Sequence, residues 1–291
     1  GRRKDVRAIP TLVGVLNCTD SEAVINAITS LVRIGWQPLS DDIDLLLSLL
    51  NGEVTQMRAV IQAHTRLKIM NPKSHSVIYN LCSHESVLVS GAARAYQARI
   101  YGRVDLLGPL IPQLTDLVAG KRRSAVIDLG DAGDESRLAD LVRAPVSMSL
   151  RAKSFFDIVD VNHSILTSKN HTLLEQLLTD NPQYLDLKSE WQCDMNPNEI
   201  ERNLSHRDEG RQYGAALSLM TIDSQSCLEI VDSMQERLWS DYVTHYYLTC
   251  IIGLRRFHQK SDLVRAALSE TTPQYTKSRI AAAWACLELT L

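Results

Sequence analysis

The sequence predicts an all-α fold: an α-α superhelix, or solenoid, of stacked antiparallel helix pairs with a concave ligand-binding face. Three observations predict it. Apolar residues recur at three- and four-residue steps along most of the chain, while period-2 alternation is almost absent. Aromatic residues make up only 5% of the 291 positions and Leu, Ala, Ile and Val are plentiful, a mixture suited to close helix packing. Segments of one pattern return at near-constant spacing, the mark of a repeat architecture.

Each repeat carries a turn and then a helix in which a basic or polar residue precedes small residues. In order these are TDSEAVINAITSLVRIG, EVTQMRAVIQAHTRLKI, SVLVSGAARAYQARIYG, AGKRRSAVIDLGDAG and VSMSLRAKSFFDIVD. Aligned on Ala27, Val60, Ala93, Ala125 and Ala152, they lie 33, 33, 32 and 27 residues apart. The pattern restarts in SHRDEGRQYGAALSLM, SDYVTHYYLTCIIGL and YTKSRIAAAWACLEL, where Ala215, Leu248 and Ala281 are 33 apart both times. A second apolar helix is expected before these, as in VRAIPTLVGVL, DIDLLLSLL, LGPLIPQLTDLV and DLVRAAL. One pair cannot bury its own apolar stripe, so each pair depends on its neighbours. This is the HEAT-like or armadillo-type pattern.

Residues 1–160 are read as N-terminal repeats of about five helix pairs. Residues 161–202 form an irregular seam with one clear helix from His171 to Leu178, and residues 203–291 form C-terminal repeats. The whole is expected to be one continuous solenoid.

Net charge is −3 and the isoelectric point near 6.3, which argues against a general nucleic-acid binder. The one basic cluster, Gly120 to Arg123, reads as a solvated helix start or a site for an anionic group. Six cysteines at 18, 82, 193, 227, 250 and 286 include no C-x-x-C pair, so a metal site is not expected. With no membrane-length apolar run and no signal peptide, a soluble protein in a reducing, cytoplasmic compartment is expected, without membrane insertion.

No P-loop, dinucleotide fingerprint, G-x-S-x-G or H-E-x-x-H motif occurs, which excludes the commonest nucleotide-dependent and hydrolytic chemistries. The most suggestive constellation is Asp157, Asp160 and His163, spaced so that a helix keeps them near one face. Carboxylates beside a histidine can exchange protons or hold a cationic group; the plain alternative is a solvated helix end. Arg211 occupies a recurrent basic position shared with Arg58, Arg94, Arg151 and Arg279. Such a ladder braces neighbouring repeats or grips carboxylates bidentately. Tyr96, Tyr213, Tyr242, Tyr246, Tyr247, Trp191 and Trp284 divide between core and surfaces able to stack on a flat ligand.

In RRSAVIDLGDAGD, followed by LVRAPVSMSLRAKSFFDIVD and LLTDNPQYLDLKSEWQC, the chain resembles the E/F-type phycobilin lyases, HEAT-like proteins that attach open-chain tetrapyrroles to phycobiliproteins. The likeness covers roughly residues 85 to 200, and the chain length resembles that of single-chain phycoerythrin-type members. SHRDEGRQYGAALSL is the nearest analogue of a family stretch, matching at His206, Arg207, Asp208, Arg211, Tyr213 and Ala216. The asparagine-histidine-cysteine motif of isomerising subunits is met at Asn162-His163, with Ser164 in place of the cysteine.

The resemblance implies that a bilin of the phycoerythrobilin type is the substrate, with no separate cofactor. It implies thioether formation with a cysteine of a phycobiliprotein α or β subunit, with or without isomerisation to phycourobilin. The implied catalytic residues are Asp157, Asp160 and His163. The implied bilin-binding residues are Arg94, Asp128, Arg151, His206, Arg211, Tyr213 and Trp284. The implied setting is the cyanobacterial cytosol near phycobilisome assembly. The alternative is a non-catalytic HEAT-repeat scaffold or chaperone that binds a protein partner.

Overall fold

The computed structural model describes residues 2–162 and 167–291, apart from the side chains of 168 and 169. The described residues are helical or irregular, with no strand among them. None of the described helices is long and apolar enough to cross a membrane. The helices group into two compact units, one of residues 1–113, 124–137 and 156–163 and the other of 114–123, 138–155 and 164–291.

In the first unit α1 (Ile9–Val15), α3 (Ser40–Ser48) and α5 (Pro72–Asn80) alternate with α2 (Ser21–Ile34), α4 (Val54–Arg66) and α6 (Val87–Tyr101). The second helices of successive pairs pack side by side, α2 on α4 and α4 on α6. The small and β-branched anchors explain why. Ala27, Val60 and Ala93 are all buried, and an alanine or valine at the contact lets two helix backbones approach closely. Asp20 starts α2 by accepting from Glu22 N and Ala23 N, and Asn71 caps α5 in the same way. Helix ends recur in register too: Gly35, Lys68, Gly102 and Gly133 all have positive φ, at 80°, 54°, 69° and 75°. Left-handed residues at this position close a helix and turn the chain back.

Two further helices follow, α7 (Ala119–Ala132) and, after the short α8 (Leu138–Val142), α9 (Met148–Asn162). The segment LGPLIPQLTDLV departs from the expected α-helix. It forms 3-10 turns over Val104–Leu110 and Pro112–Thr115, because Pro109 and Pro112 cannot donate to an α-helical ladder.

The second unit contains α10 (Ser168–Thr179), which encloses the expected His171–Leu178 helix, and then α11 (Pro197–Leu204). It continues with α12 (Glu209–Thr221), α13 (Ser224–Leu238), α14 (Tyr242–Leu254), α15 (Ser261–Ser269) and α16 (Thr276–Glu288). Here α12 packs on α14 and α14 on α16, with Ala215, Leu248 and Ala281 buried along the row. Gly253 permits the last contact, since a Cβ there would lie 2.6 Å from that of Ala285. Each unit is thus a solenoid-like stack of helix pairs, as the spacing predicts.

One core residue makes the fold pH-sensitive. His64, in α4, is fully buried; its Nδ1 donates to the Val60 carbonyl and its Nε2 has no hydrogen-bond partner among the described residues. Burial pushes its pKa below the ordinary imidazole value, and the Val60 contact only partly opposes this. A depressed histidine stabilises the fold fully above the unfolded pKa of about 6.5 and loses that contribution as pH falls toward the folded value, at up to about 1.4 kcal/mol per pH unit. The urea midpoint of the parent relative to that of His64→Leu should therefore decline from pH 7.5 to 5, a difference that cancels the opposite trend of Asp128, whose carboxyl is pushed up to about 7 by burial. An unchanged slope in the variant would assign the acid sensitivity elsewhere, His245 being the other histidine that burial depresses among the described residues.

Candidate functional site

The expected site residues divide among three environments. Asp128, Arg94, Asp157 and Asp160 belong to the first unit. Asp128 is buried and takes a bidentate pair from Arg58, Nη2 to Oδ1 at 2.7 Å and Nη1 to Oδ2 at 3.0 Å. Gly91 makes the space, because a Cβ there would meet Asp128 Oδ2 at 2.6 Å. Burial pushes the Asp128 carboxyl up to about 7, against the pull of Arg58. Three residues on, Asp131 receives Arg66 bidentately at 2.8 and 2.9 Å. Burial opposes the Arg66 charge, but Asp131, Asp157 and Asp128 outweigh it and hold its pKa above the ordinary value. Asp157 is half-buried and joins this Arg/Asp cluster, and Asp160 is exposed on the same helix. His163 lies outside the described residues. Arg94 braces the chain, its Nε and Nη2 donating to the Cys82 carbonyl at 3.1 and 2.8 Å.

Arg151 and Tyr213 occupy a second environment, in the interior of the second unit. Arg151 is fully buried and donates from Nε to the Val146 carbonyl, from Nη1 to the Val142 carbonyl, and from Nη2 to Asp180 and the Tyr213 hydroxyl. Tyr213 and Tyr246 in turn donate to Asp180. Burial opposes the Arg151 charge, but Tyr213, Asp180 and Tyr246 keep its pKa above the ordinary value. These donors are all engaged within the protein, so Arg151 acts here as a brace. Trp284 is half-buried and lines a cleft of about 270 Å³ together with Glu175, Gln176 and Tyr184. Arg211 is exposed on α12.

The third environment is a cleft of about 600 Å³ where α12, α14 and α16 begin, and His206 lines it with Arg123, Arg207, Gln212, Tyr242 and Lys277. Local hydrogen bonding builds its floor. Asp208 caps α12 through Gly210 N at 2.8 Å, and its own backbone N–H donates to His206 Nδ1 at 3.0 Å. A neutral His206 therefore carries its proton on Nε2. Gln212 donates to the His206 carbonyl and accepts from the Tyr247 hydroxyl at 3.0 Å, which fixes the loop before α12. Arg123 is held by Glu209 at 2.9 and 2.7 Å. Arg207 is exposed, and Lys277 Nζ sits 4.7 Å from the Tyr246 ring centroid. Neither of these two cations forms an ion pair with a carboxylate of the described residues, and half-exposed Tyr242 stands beside them.

The basic cluster at 120–123 does not behave as a solvated helix start. Arg122 is fully buried, donating to the Asp116, Leu117 and Pro145 carbonyls and to Asp208, with its guanidinium 4.7 Å from the Trp191 ring centroid. Asp180, Asp131 and Arg66 are structural charges without a sequence signal, since the charged partner of each lies far away in the chain. Of the aromatic set, Tyr96, Tyr213, Tyr246, Tyr247 and Trp191 are buried, while Tyr242 is 50% exposed.

Along nearly its whole length the chain is similar to a cyanobacterial sequence. It is 25% identical over 293 aligned residues, covering 99% of this chain and 69% of the other, to a protein named "Uncharacterized phycocyanin operon protein Y" from Pseudanabaena tenuis. No family model matches the chain.

Proposed function

We propose that the chain takes part in phycobiliprotein biogenesis as a bilin lyase, holding an open-chain tetrapyrrole in the cleft beside His206. The observation that carries this is the pair of cations at the cleft, Arg207 and Lys277, without carboxylate partners among the described residues and next to the exposed ring of Tyr242. Two propionates and a long conjugated plane match that combination of charge and aromatic surface. The phycocyanin operon in the name of the Pseudanabaena protein supports the same setting.

In the reaction the acceptor cysteine adds across a ring-A double bond of the bilin. A C–S bond forms, the thiol proton is replaced by one delivered to the neighbouring carbon, and nothing leaves. Orientation and exclusion of water contribute most of the acceleration. His206 Nε2 is placed to donate in the cleft; Asp157, Asp160 and His163 are the proton-handling residues that the family resemblance implies.

The test is co-production with candidate phycobiliprotein subunits and either phycocyanobilin or phycoerythrobilin, read as a mass increase on one cysteine peptide. The purified protein should also give a red-shifted visible band with the bilin, weakened about tenfold or more by Arg207→Ala with Lys277→Ala, as expected for two charge-assisted contacts. Replacing Asp157, Asp160 and His163 by alanine should leave that band but stop transfer; transfer lost instead in His206→Gln assigns the proton step to His206. No visible-band change at micromolar concentration with either bilin would sink the lyase reading and leave the protein-binding scaffold.

A further inference from the structure

The turn between α13 and α14 shapes a second recess in the same unit, of about 350 Å³, lined by Glu236, Arg237, Trp239, His245, Glu270 and Tyr275. His245 is its inner wall. The ring is only 4% exposed and lies 4.0 Å from the Trp239 centroid on one side and 4.9 Å from that of Tyr275 on the other. Its Nδ1 is buried without a hydrogen-bond partner among the described residues. Burial depresses its pKa, so at neutral pH this wall is an uncharged ring. The Tyr275 hydroxyl donates to the Ser240 carbonyl at 2.8 Å, which fixes the second aromatic wall against the turn.

The charges around these rings are unequal. Arg237 is the one cation of the wall among the described residues, and its guanidinium is engaged by neighbouring acceptors. Its Nη1 and Nη2 pair with Glu201, which does not line the recess, and Nη2 also reaches Ser233 Oγ at 3.0 Å. Glu270 uses Oε1 to accept from Thr272 N and Oγ1. Glu236 is exposed at the rim. With Arg237 paired to Glu201, two further carboxylates and two half-buried aromatic rings line the recess.

We propose that this recess is a recognition pocket for an organic cation, a guanidinium or alkylammonium group, held by the Trp239 and Tyr275 rings and the Glu236 and Glu270 carboxylates. Ring quadrupoles attract a cation most strongly where water is partly excluded, and the carboxylates supply the long-range attraction. The pocket does not depend on the bilin reading, since its residues are other than those of the His206 cleft. The group can come from an arginine or lysine side chain of a protein partner or from a free small cation.

The experiment titrates the intact chain with N-acetyl-arginine methylamide and, as the neutral isostere, N-acetyl-citrulline methylamide, following tryptophan fluorescence at constant ionic strength. The arginine compound should give a saturable change that citrulline lacks. Trp239→Phe should remove the signal, and Glu236→Gln with Glu270→Gln should weaken binding about tenfold or more, consistent with loss of two charge-assisted contacts. Circular dichroism identical to that of the parent keeps the comparison valid, and tetramethylammonium, which cannot donate hydrogen bonds, provides a second probe in the unaltered chain. An equal response to citrulline, or affinity unchanged by the double substitution, would overturn the proposal. A short peptide bearing one arginine then separates the sources: tighter binding than the capped amino acid indicates a protein chain, and equal binding a free cation.

Discussion

Replacing Asp180 by alanine should cost about 3–5 kcal/mol of stability, the loss typical when one partner of a buried ion pair is removed. Asp180 is 3% exposed and Arg151 is not exposed at all, so the stranded guanidinium cannot recover water. Tyr246 loses its acceptor in the same step and Tyr213 is left with the Val146 carbonyl at 3.3 Å, while burial keeps both phenols protonated by raising their pKa well above the ordinary value. Asp180 also occupies a left-handed conformation at the end of α10, with φ 48°, where aspartate is tolerated better than most residues. Its charge at a helix C-terminus is unfavourable alone and is offset by Arg151. Denaturation in urea followed by circular dichroism measures the change as a lower midpoint. If the charge pairing is the cause, Arg151→Met with Asp180→Asn should recover most of the loss, because it removes both charges together and keeps an acceptor side chain that tolerates the left-handed conformation. A midpoint unchanged in Asp180→Ala would refute the account.

Substituting Gly214 by alanine should be nearly as damaging, about 3 kcal/mol, the upper end of the overpacking range. The reason is steric and local. Gly210 and Gly214, one turn apart on α12, form a slot that receives Trp191: a Cβ on Gly210 would lie 2.5 Å from the indole ring, and one on Gly214 would collide with the Trp191 backbone carbonyl. An indole can rotate, but the carbonyl is backbone and cannot yield without moving the segment that carries Arg122's ring partner. The same substitution at Gly14, exposed in α1 with nothing within 4 Å of an added Cβ, should stabilise by about 0.5–1 kcal/mol through helix propensity. Opposite signs at the two glycines, read as thermal midpoints of the single variants, test the slot. Equal effects would mean that Trp191 does not sit against α12 as described.

Much of the fold is legible in the residue order. The anchors Ala27, Val60 and Ala93, and again Ala215, Leu248 and Ala281, are buried in the rows where one helix meets the next. The proline-bearing stretch around Pro109 and Pro112 departs from the expected helices, and the reason, a missing donor, is itself local; the seam also holds a second helix, α11, beyond the one expected there. The site was less legible. Arg58 and Arg94 do brace, as a recurrent basic residue should, but their acceptors are Asp128 and the Cys82 carbonyl, which share no spacing rule. Arg122 reads as a surface charge at a helix start, yet it is buried beneath Trp191 because three backbone carbonyls and Asp208 converge on it.

Residue order alone determined the helical periodicity, the pairing of helices and the small residues at their contacts, because each is encoded over one or two helical turns. Only the tertiary structure decided which charges are buried and which remain available. Arg151 and Asp180 are 29 residues apart in the chain, and Arg122 and Asp208 86 apart, and no local pattern links such pairs. Whether a charged side chain is a brace or a ligand contact depends on the desolvation it undergoes when distant segments meet, and that is settled only when the helices have packed.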